Sequence, residues 1–286
     1  MKFKYIVGGF IGLTILSVLT RALQIISMTD EKGFTLPGQK TYSLLATAVI
    51  FGLALCLAVI GLLTHRCPAH PPKINLVLAF PSIVLGLWIF FDIIHSFFSS
   101  KVPLWQIALL SVFGVLSGIV FILYGLKAFK NINLPSIVFV IPVIYQIVRL
   151  LCVFISISSL AFTTGHILML VSDCAVLLFF LELGKMMCGL DKEKNYRKML
   201  SAGMLAGYFC MVNTVPYIII LLTGKQVVLN ESYSSLILTF LIGIFCIIFL
   251  ANHFSLNNRQ IFKKQKKKQS KDGNEKSDSG TAFYTP

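Results

Sequence analysis

The sequence predicts an all-α polytopic integral membrane bundle of about eight transmembrane helices with both termini cytoplasmic. Three observations point there. The chain is 56% hydrophobic and 13% charged, with a mean hydropathy of +0.84, whereas soluble domains run about 45–50% apolar and about 25% charged. Apolar runs of the roughly 20 residues that cross a ~30 Å hydrocarbon layer recur eight times. Lysine and arginine fall almost wholly on one side of that alternation.

The runs cover about 5–27, 42–64, 75–98, 104–126, 135–158, 164–184, 200–222 and 234–253. Nothing between them is Pro/Ser-rich or charged enough to mark a soluble domain, and the longest links, 28–41 and 185–199, fit simple connections. Residues 1–256 therefore read as one bundle and 257–286 as a disordered basic cytoplasmic tail without apolar periodicity. The first run has the outline of a secretory signal, since Lys2-Phe3-Lys4 precedes it. No small-x-small cleavage site follows, and the apolar run continues past Arg21, so it is read as an uncleaved first span.

With the amino terminus inside, the inner segments hold nineteen basic residues and the outer loops four: Lys32, Lys40, Lys101 and Lys225. The remaining two, Arg21 and Arg149, lie within spans. The bias explains the net charge of +14, because eight of the 25 basic residues follow Leu256 and most others sit in short inner links. It answers to topology rather than to a nucleic-acid face, and no nucleic-acid partner is expected. The expected partners are the lipid bilayer, anionic lipid at the lysine cluster of the tail, and a small polar or anionic ligand. The expected location is the plasma (cytoplasmic) membrane.

Small residues mark helix contacts: Gly8 with Gly12, Gly114 with Gly118, and Gly203 with Gly207 each have the spacing that lets two backbones approach closely. Pro81, Pro135, Pro142 and Pro216 stand where spans start or bend. Pro81-Ser82-Ile83-Val84 recurs as Pro135-Ser136-Ile137-Val138, but the match does not extend into the next span and reads as coincidence. Seven scattered cysteines without a CxxC pair read as buried free thiols.

Within the spans the polar residues keep helical spacing, so each span has one stripe to turn inward. The first has Thr14, Ser17, Arg21 and Gln24; the third has Trp88, Asp92, His95 and Ser99; the fifth has Gln146, Arg149, Cys152 and Ser156. The sixth offers His166 and Asp173, and the seventh Cys210, Asn213 and Tyr217. An ionisable group at membrane depth costs about 2.5–3.5 kcal/mol on insertion scales, so it has a partner or a task. At about 1.5 Å per residue, Arg21, Asp92, Arg149, Asp173 and Asn213 all fall at or outside the midplane. The expectation is one outward-facing polar cavity lined by Arg21, Asp92, His95, Gln146, Arg149, Asp173 and Asn213, with Arg149 paired to Asp173 and Arg21 to Asp92. Arginines there would hold an anionic group, and an aspartate would bind a cation or exchange a proton.

That cavity defines a permease-like or ligand-binding protein. The alternative is a non-catalytic scaffold or sensor in which the charge pairs fix helix register. A third reading, an intramembrane enzyme, rests on Asp92 and His95 alone; no HExxH, GxSxG, P-loop or GxGxxG motif is present, and no catalytic residue or cofactor is assigned. Glu182 points away from the cluster, toward Lys185 or Arg197. His65, Cys67 and His70 sit close together in a link but lack a fourth ligand, and no metal is assigned there.

Overall fold

A computed structural model describes residues 3–30, 34–63, 75–98, 103–130, 134–158, 163–189, 192–222 and 232–252. Among them there are eight helices long and apolar enough to cross a membrane and no strand. In chain order they are α1 (Phe3–Met28), α2 (Lys40–Leu62), α3 (Leu76–Phe98), α4 (Leu104–Leu126), α5 (Val140–Ser158), α6 (Thr164–Met187), α7 (Lys192–Leu222) and α8 (Tyr233–Asn252). A short 3-10 turn, Ser136–Phe139, leads into α5. The basic tail and the His65–His70 stretch lie outside the described residues.

The boundaries follow local chemistry. Thr163 caps α6: its hydroxyl accepts from the His166 backbone N–H, and the His166 side chain answers the Thr163 N–H, which satisfies two of the donors a helix start leaves open. His166 is thereby a capping residue. Pro81 lies inside α3, whereas Pro135 stands as the N-cap of the 3-10 turn. The two Pro-Ser-Ile-Val segments therefore have different local structures. One boundary departs from the apolar pattern. α7 starts at Lys192 rather than near residue 200, because the intervening residues include good helix formers and neither Gly nor Pro.

Successive helices run in opposite directions. At one end the start of α3 meets the end of α8 through Asn75 Nδ2 donating to Asn252 Oδ1 at 3.1 Å. At the same end Ser201 of α7 donates to the Ala58 carbonyl of α2 at 3.1 Å. At the other end, His95 of α3 faces Ser234 of α8 at 3.1 Å between Nδ1 and Oγ. The Asn252 end carries Lys127, Lys130, Lys185, Arg197 and Lys198 among the described residues, and the His95 end carries Lys40.

α6, α7 and α8 form the inside of the bundle. Their apolar windows are 61%, 61% and 56% buried, against 28–44% for α1 to α5. The α1–α2 pair packs on α7, and the α3–α4 pair, with α5, closes around α6 and α8. A ladder of rings fills the centre: Phe121 of α4, Phe179 and Phe180 of α6, and Phe245 and Phe249 of α8 stack edge-on or tilted at 5.5–6.4 Å between centroids. Leucine, isoleucine and phenylalanine side chains cover the outer face.

Two of the three small-residue pairs are used as expected. Gly118 of α4 faces the Gly86 carbonyl and Phe90 of α3, while Gly203 and Gly207 of α7 face Phe179, Leu250 and Ile247. Gly8 and Gly12 meet nothing within 4 Å, which corrects their reading as a contact within the chain. They lie on the part of α1 turned away from α2 and α7. The cysteines also divide. Cys152, Cys210 and Cys246 are buried, but Cys56 and Cys174 are exposed on the spans, where a thiol sits as comfortably beside apolar neighbours as in the core, and Cys188 is exposed at the end of α6, its thiol 3.6 Å from the Ser136 carbonyl.

Candidate functional site

Two groups of buried polar side chains stand apart from the aromatic core. The first lies between α1, α2 and α7. The predicted stripe of α1 turns fully inward: Thr14, Ser17, Arg21 and Gln24 are all buried. Arg21 Nη1 donates to Gln24 Oε1 at 2.6 Å, one turn along the same helix. Gln24 Nε2 then donates to the Ser43 carbonyl, the Ser43 hydroxyl and the Thr47 hydroxyl of α2 at 2.9–3.0 Å. Tyr217 of α7 lies in electrostatic contact with the guanidinium. One turn pair deeper, the Tyr208 hydroxyl of α7 donates to the Ile50 carbonyl of α2 at 2.8 Å and meets the Ser17 hydroxyl of α1 at 2.5 Å. A single phenol thus ties three helices. Tyr208→Phe removes both contacts and is expected to lower stability by about 1–2 kcal/mol, given ~0.6 and at most ~1.7 kcal/mol per interhelical bond; unfolding in detergent measures it.

The second group lies between α3, α5, α6 and α8. Arg149 Nη2 donates to the Thr239 hydroxyl of α8 at 2.6 Å and stands 3.8 Å from Asp173 Oδ1 of α6. Gln146, one turn before Arg149, donates to the same Asp173 oxygen at 3.1 Å. The Tyr145 phenol is buried within electrostatic reach of Arg149, Asp92 and Asp173. Gly114 of α4 makes room for it: a Cβ there would fall 3.2 Å from the Tyr145 ring and 2.7 Å from Ile93, the neighbour of Asp92. Trp88 Nε1 donates to the Ser234 carbonyl at 3.0 Å and holds α3 against α8 beside this group.

The two groups differ in how well they are satisfied: the Arg21 group leaves Arg21 Nε without a hydrogen-bond partner among the described residues, and the Arg149 group leaves several atoms so. Around Tyr145 and Arg149 three buried acceptors, Asp173 Oδ2, Gln146 Oε1 and Asp92 Oδ1, and one donor atom, Arg149 Nη1, lack a hydrogen-bond partner among the described residues. Asp173 is 2% exposed and Gln146 fully buried. Each buried polar atom left without a partner costs about 1–3 kcal/mol, more when charged. A packed structural pair would not need to leave three.

The predicted residues fall out as follows. Arg149, Asp173 and Gln146 come together, with Asp92 half-buried beside Tyr145. Arg21 does not pair with Asp92: Gln24, on its own helix one turn away, takes its Nη1, and α1 packs on α2 and α7. The common lining of one hollow by all four charges is corrected to two separate groups. His95 sits on the outer rim of α3, its Nδ1 against the Ser234 hydroxyl and its ring 6.4 Å from that of Phe91. Asn213 is buried on α7, one turn past Cys210, whose sulfur faces Ser172 of α6 at 3.4 Å. Glu182 pairs with Lys185 at 2.9 Å, away from Asp173.

Sequence reasoning missed Thr239, Tyr145 and Tyr208. Thr239 was detectable as an isolated hydroxyl in the apolar run of α8, one turn from Ser235, whose carbonyl its own hydroxyl meets at 3.0 Å. A separate small hollow nearer the Asn252 end, between α4, α5, α6 and α8, is lined by apolar groups such as Phe121, Phe139, Phe180 and Phe245. It does not include the charged group.

Eight apolar helices of this length fit a multi-pass membrane protein. No family model, curated protein or solved structure matches the chain.

Proposed function

We propose that the chain is a permease-like or ligand-binding membrane protein whose solute site is the Arg149–Asp173 group. The observation carrying this reading is the set of buried, unpartnered oxygens on Asp173, Gln146 and Asp92 around a single ion pair. Polar groups at this depth in an apolar bundle are expensive, and ones left without partners are best explained by a ligand that supplies them. The group lies in the half of the bundle that carries the His95 end. Basic residues favour the opposite, Asn252 end as cytoplasmic, so the site belongs to the outward half of a plasma-membrane protein, with the lysine-rich tail beside anionic lipid on the inner face. The chain has no nucleotide-binding motif, so transport would draw on a gradient or on a separate energising subunit.

The scaffold reading has its own support in the Arg21 group, where Gln24 Nε2 makes three contacts that fix α1 on α2. There the charge is structural.

The test uses purified full-length protein in lipid nanodiscs, screened by thermal unfolding against inorganic anions, carboxylates, amines and alkali cations. At least one solute should raise the unfolding temperature of the wild type. Arg149→Lys keeps the charge but loses the planar fork, so it should abolish that response while abundance stays normal. Loss of abundance restored by exchanging Arg149 and Asp173, with no solute acting on the wild type, would establish the scaffold reading instead.

A further inference from the structure

Resting on that ligand-site reading, we infer that the site takes a compact monovalent cation, an alkali ion or an ammonium group, held by Asp173, Asp92 and Gln146. The bookkeeping of donors and acceptors decides the sign. Arg149 brings the group's guanidinium, and its Nη2 is already engaged, donating to Thr239 at 2.6 Å and lying 3.8 Å from Asp173. Gln146 Nε2 is likewise engaged, donating to Asp173 Oδ1 at 3.1 Å. What lacks a hydrogen-bond partner among the described residues is chiefly acceptor: Asp173 Oδ2 and Gln146 Oε1, both on side chains more than nine-tenths buried, and Asp92 Oδ1, against one donor atom, Arg149 Nη1. An anion would bring further acceptors to a place where three already outnumber one donor. Asp173 stands against the one guanidinium, and Asp92 adds a second carboxyl group within reach of Tyr145.

The ligand chemistry is equally one-sided. Carboxylate and amide oxygens are hard donors, suited to alkali cations and to N–H groups, and no thiol or imidazole belongs to the group. His95, the nearest imidazole along α3, is engaged at Ser234 on the rim. Because the oxygens come from α3, α5 and α6, a bound cation would draw three helices together. Occupancy should therefore register as stabilisation of the whole bundle.

The experiment is thermal unfolding of the full-length protein in zwitterionic nanodiscs at constant ionic strength, titrating sodium chloride or ammonium chloride against tetramethylammonium chloride. The unfolding temperature should rise saturably with sodium, with ammonium, or with both, and not with tetramethylammonium, which has no N–H and is bulky. A response to sodium alone identifies a metal-ion site, and one to ammonium alone identifies the amine head of a solute; either supports the inference. Asp173→Asn should weaken the half-saturating concentration at least tenfold. Asp92→Asn, at the half-buried position, should do the same without leaving Arg149 unopposed, and serves if Asp173→Asn does not fold. Glu182→Gln, outside the group, should respond as wild type.

An unfolding temperature that stays flat as sodium or ammonium replaces tetramethylammonium, or a shift that follows pH alone, overturns the cation site. So does an Arg149-dependent response to sulfate or phosphate at fixed sodium, although the ligand-site reading itself would then survive. Silence toward every salt and solute, with abundance rescued by the Arg149–Asp173 exchange, removes both.

Discussion

Arg149→Met is expected to cost about 3–5 kcal/mol and to remove most of the folded protein. The magnitude follows from what the substitution leaves behind. Asp173 is 2% exposed and loses its only cation within 4 Å among the described residues, keeping Gln146 as its donor. Breaking one half of a buried pair is far more damaging than never having had the pair, because the remaining charge stays desolvated and unopposed. Thr239 also loses the guanidinium that donates to its hydroxyl at 2.6 Å. Replacing both partners, Arg149→Met with Asp173→Leu, should recover most of the loss, since well-packed apolar pairs often match buried ion pairs in stability. Abundance in membranes and unfolding temperature in detergent measure both variants. The double variant is also informative about function. If it folds but no longer responds to any solute, the charges serve ligand binding rather than architecture. A double variant as unstable as the single would show that the cost lies in packing around the long side chains, not in charge.

The two charged groups show how far the amino-acid sequence reaches. All eight helices were legible because apolar runs of this length have few other uses, and seven agree with their runs to within about two or three residues once the 3-10 turn Ser136–Phe139 is counted as the start of the fifth span, the ordinary uncertainty of helix ends. The exception, α7, extends through Lys192–Leu200 into polar sequence, where hydropathy is silent and propensity alone speaks. Depth along the helices correctly paired Arg149 with Asp173, since both could be counted from the same face. It misled for Arg21. Depth is one coordinate, and Arg21 and Asp92 share it while their helices pack on different neighbours: α1 on α2 and α7, α3 on α4 and α8. Helix neighbours are set by shape, and shape is carried by small residues that are hard to weigh in an apolar run. Gly8 and Gly12 have the recognised spacing and touch nothing, whereas Gly61 and Gly86, outside any such pair of glycines, sit at the tightest approaches to a neighbouring helix's backbone, 2.7 Å from an added Cβ. Thr239 escaped for a related reason: a single hydroxyl in an apolar run looks like packing until an arginine is found across from it.

The tight approach at Gly86 carries the second large effect. A Cβ at this position would lie 2.7 Å from the Gly118 carbonyl oxygen, 2.7 Å from Ile122 Cγ1 and 3.2 Å from the Ile122 backbone nitrogen. The side chain of Ile122 can turn aside, but two of these neighbours are backbone atoms of α4, and an ordered helix cannot yield by most of an ångström at one residue. Gly86→Val must therefore push α3 and α4 apart. Overpacking of this kind costs typically about 1–3 kcal/mol and sometimes more, and here the displacement propagates, because Trp88 and His95 on the same helix hold Ser234 of α8. Asp92 lies between them and would move with α3. Gly86→Val should thus lower the unfolding temperature and also weaken any cation response that depends on Asp92. Gly12→Val tests the same change where nothing stands within 4 Å, and should leave both readouts at wild-type values. The contrast separates contact from propensity, since both substitutions place the same β-branched residue in the interior of an apolar helix. Equal losses at the two positions would trace the effect to the helices themselves and not to the α3–α4 seam.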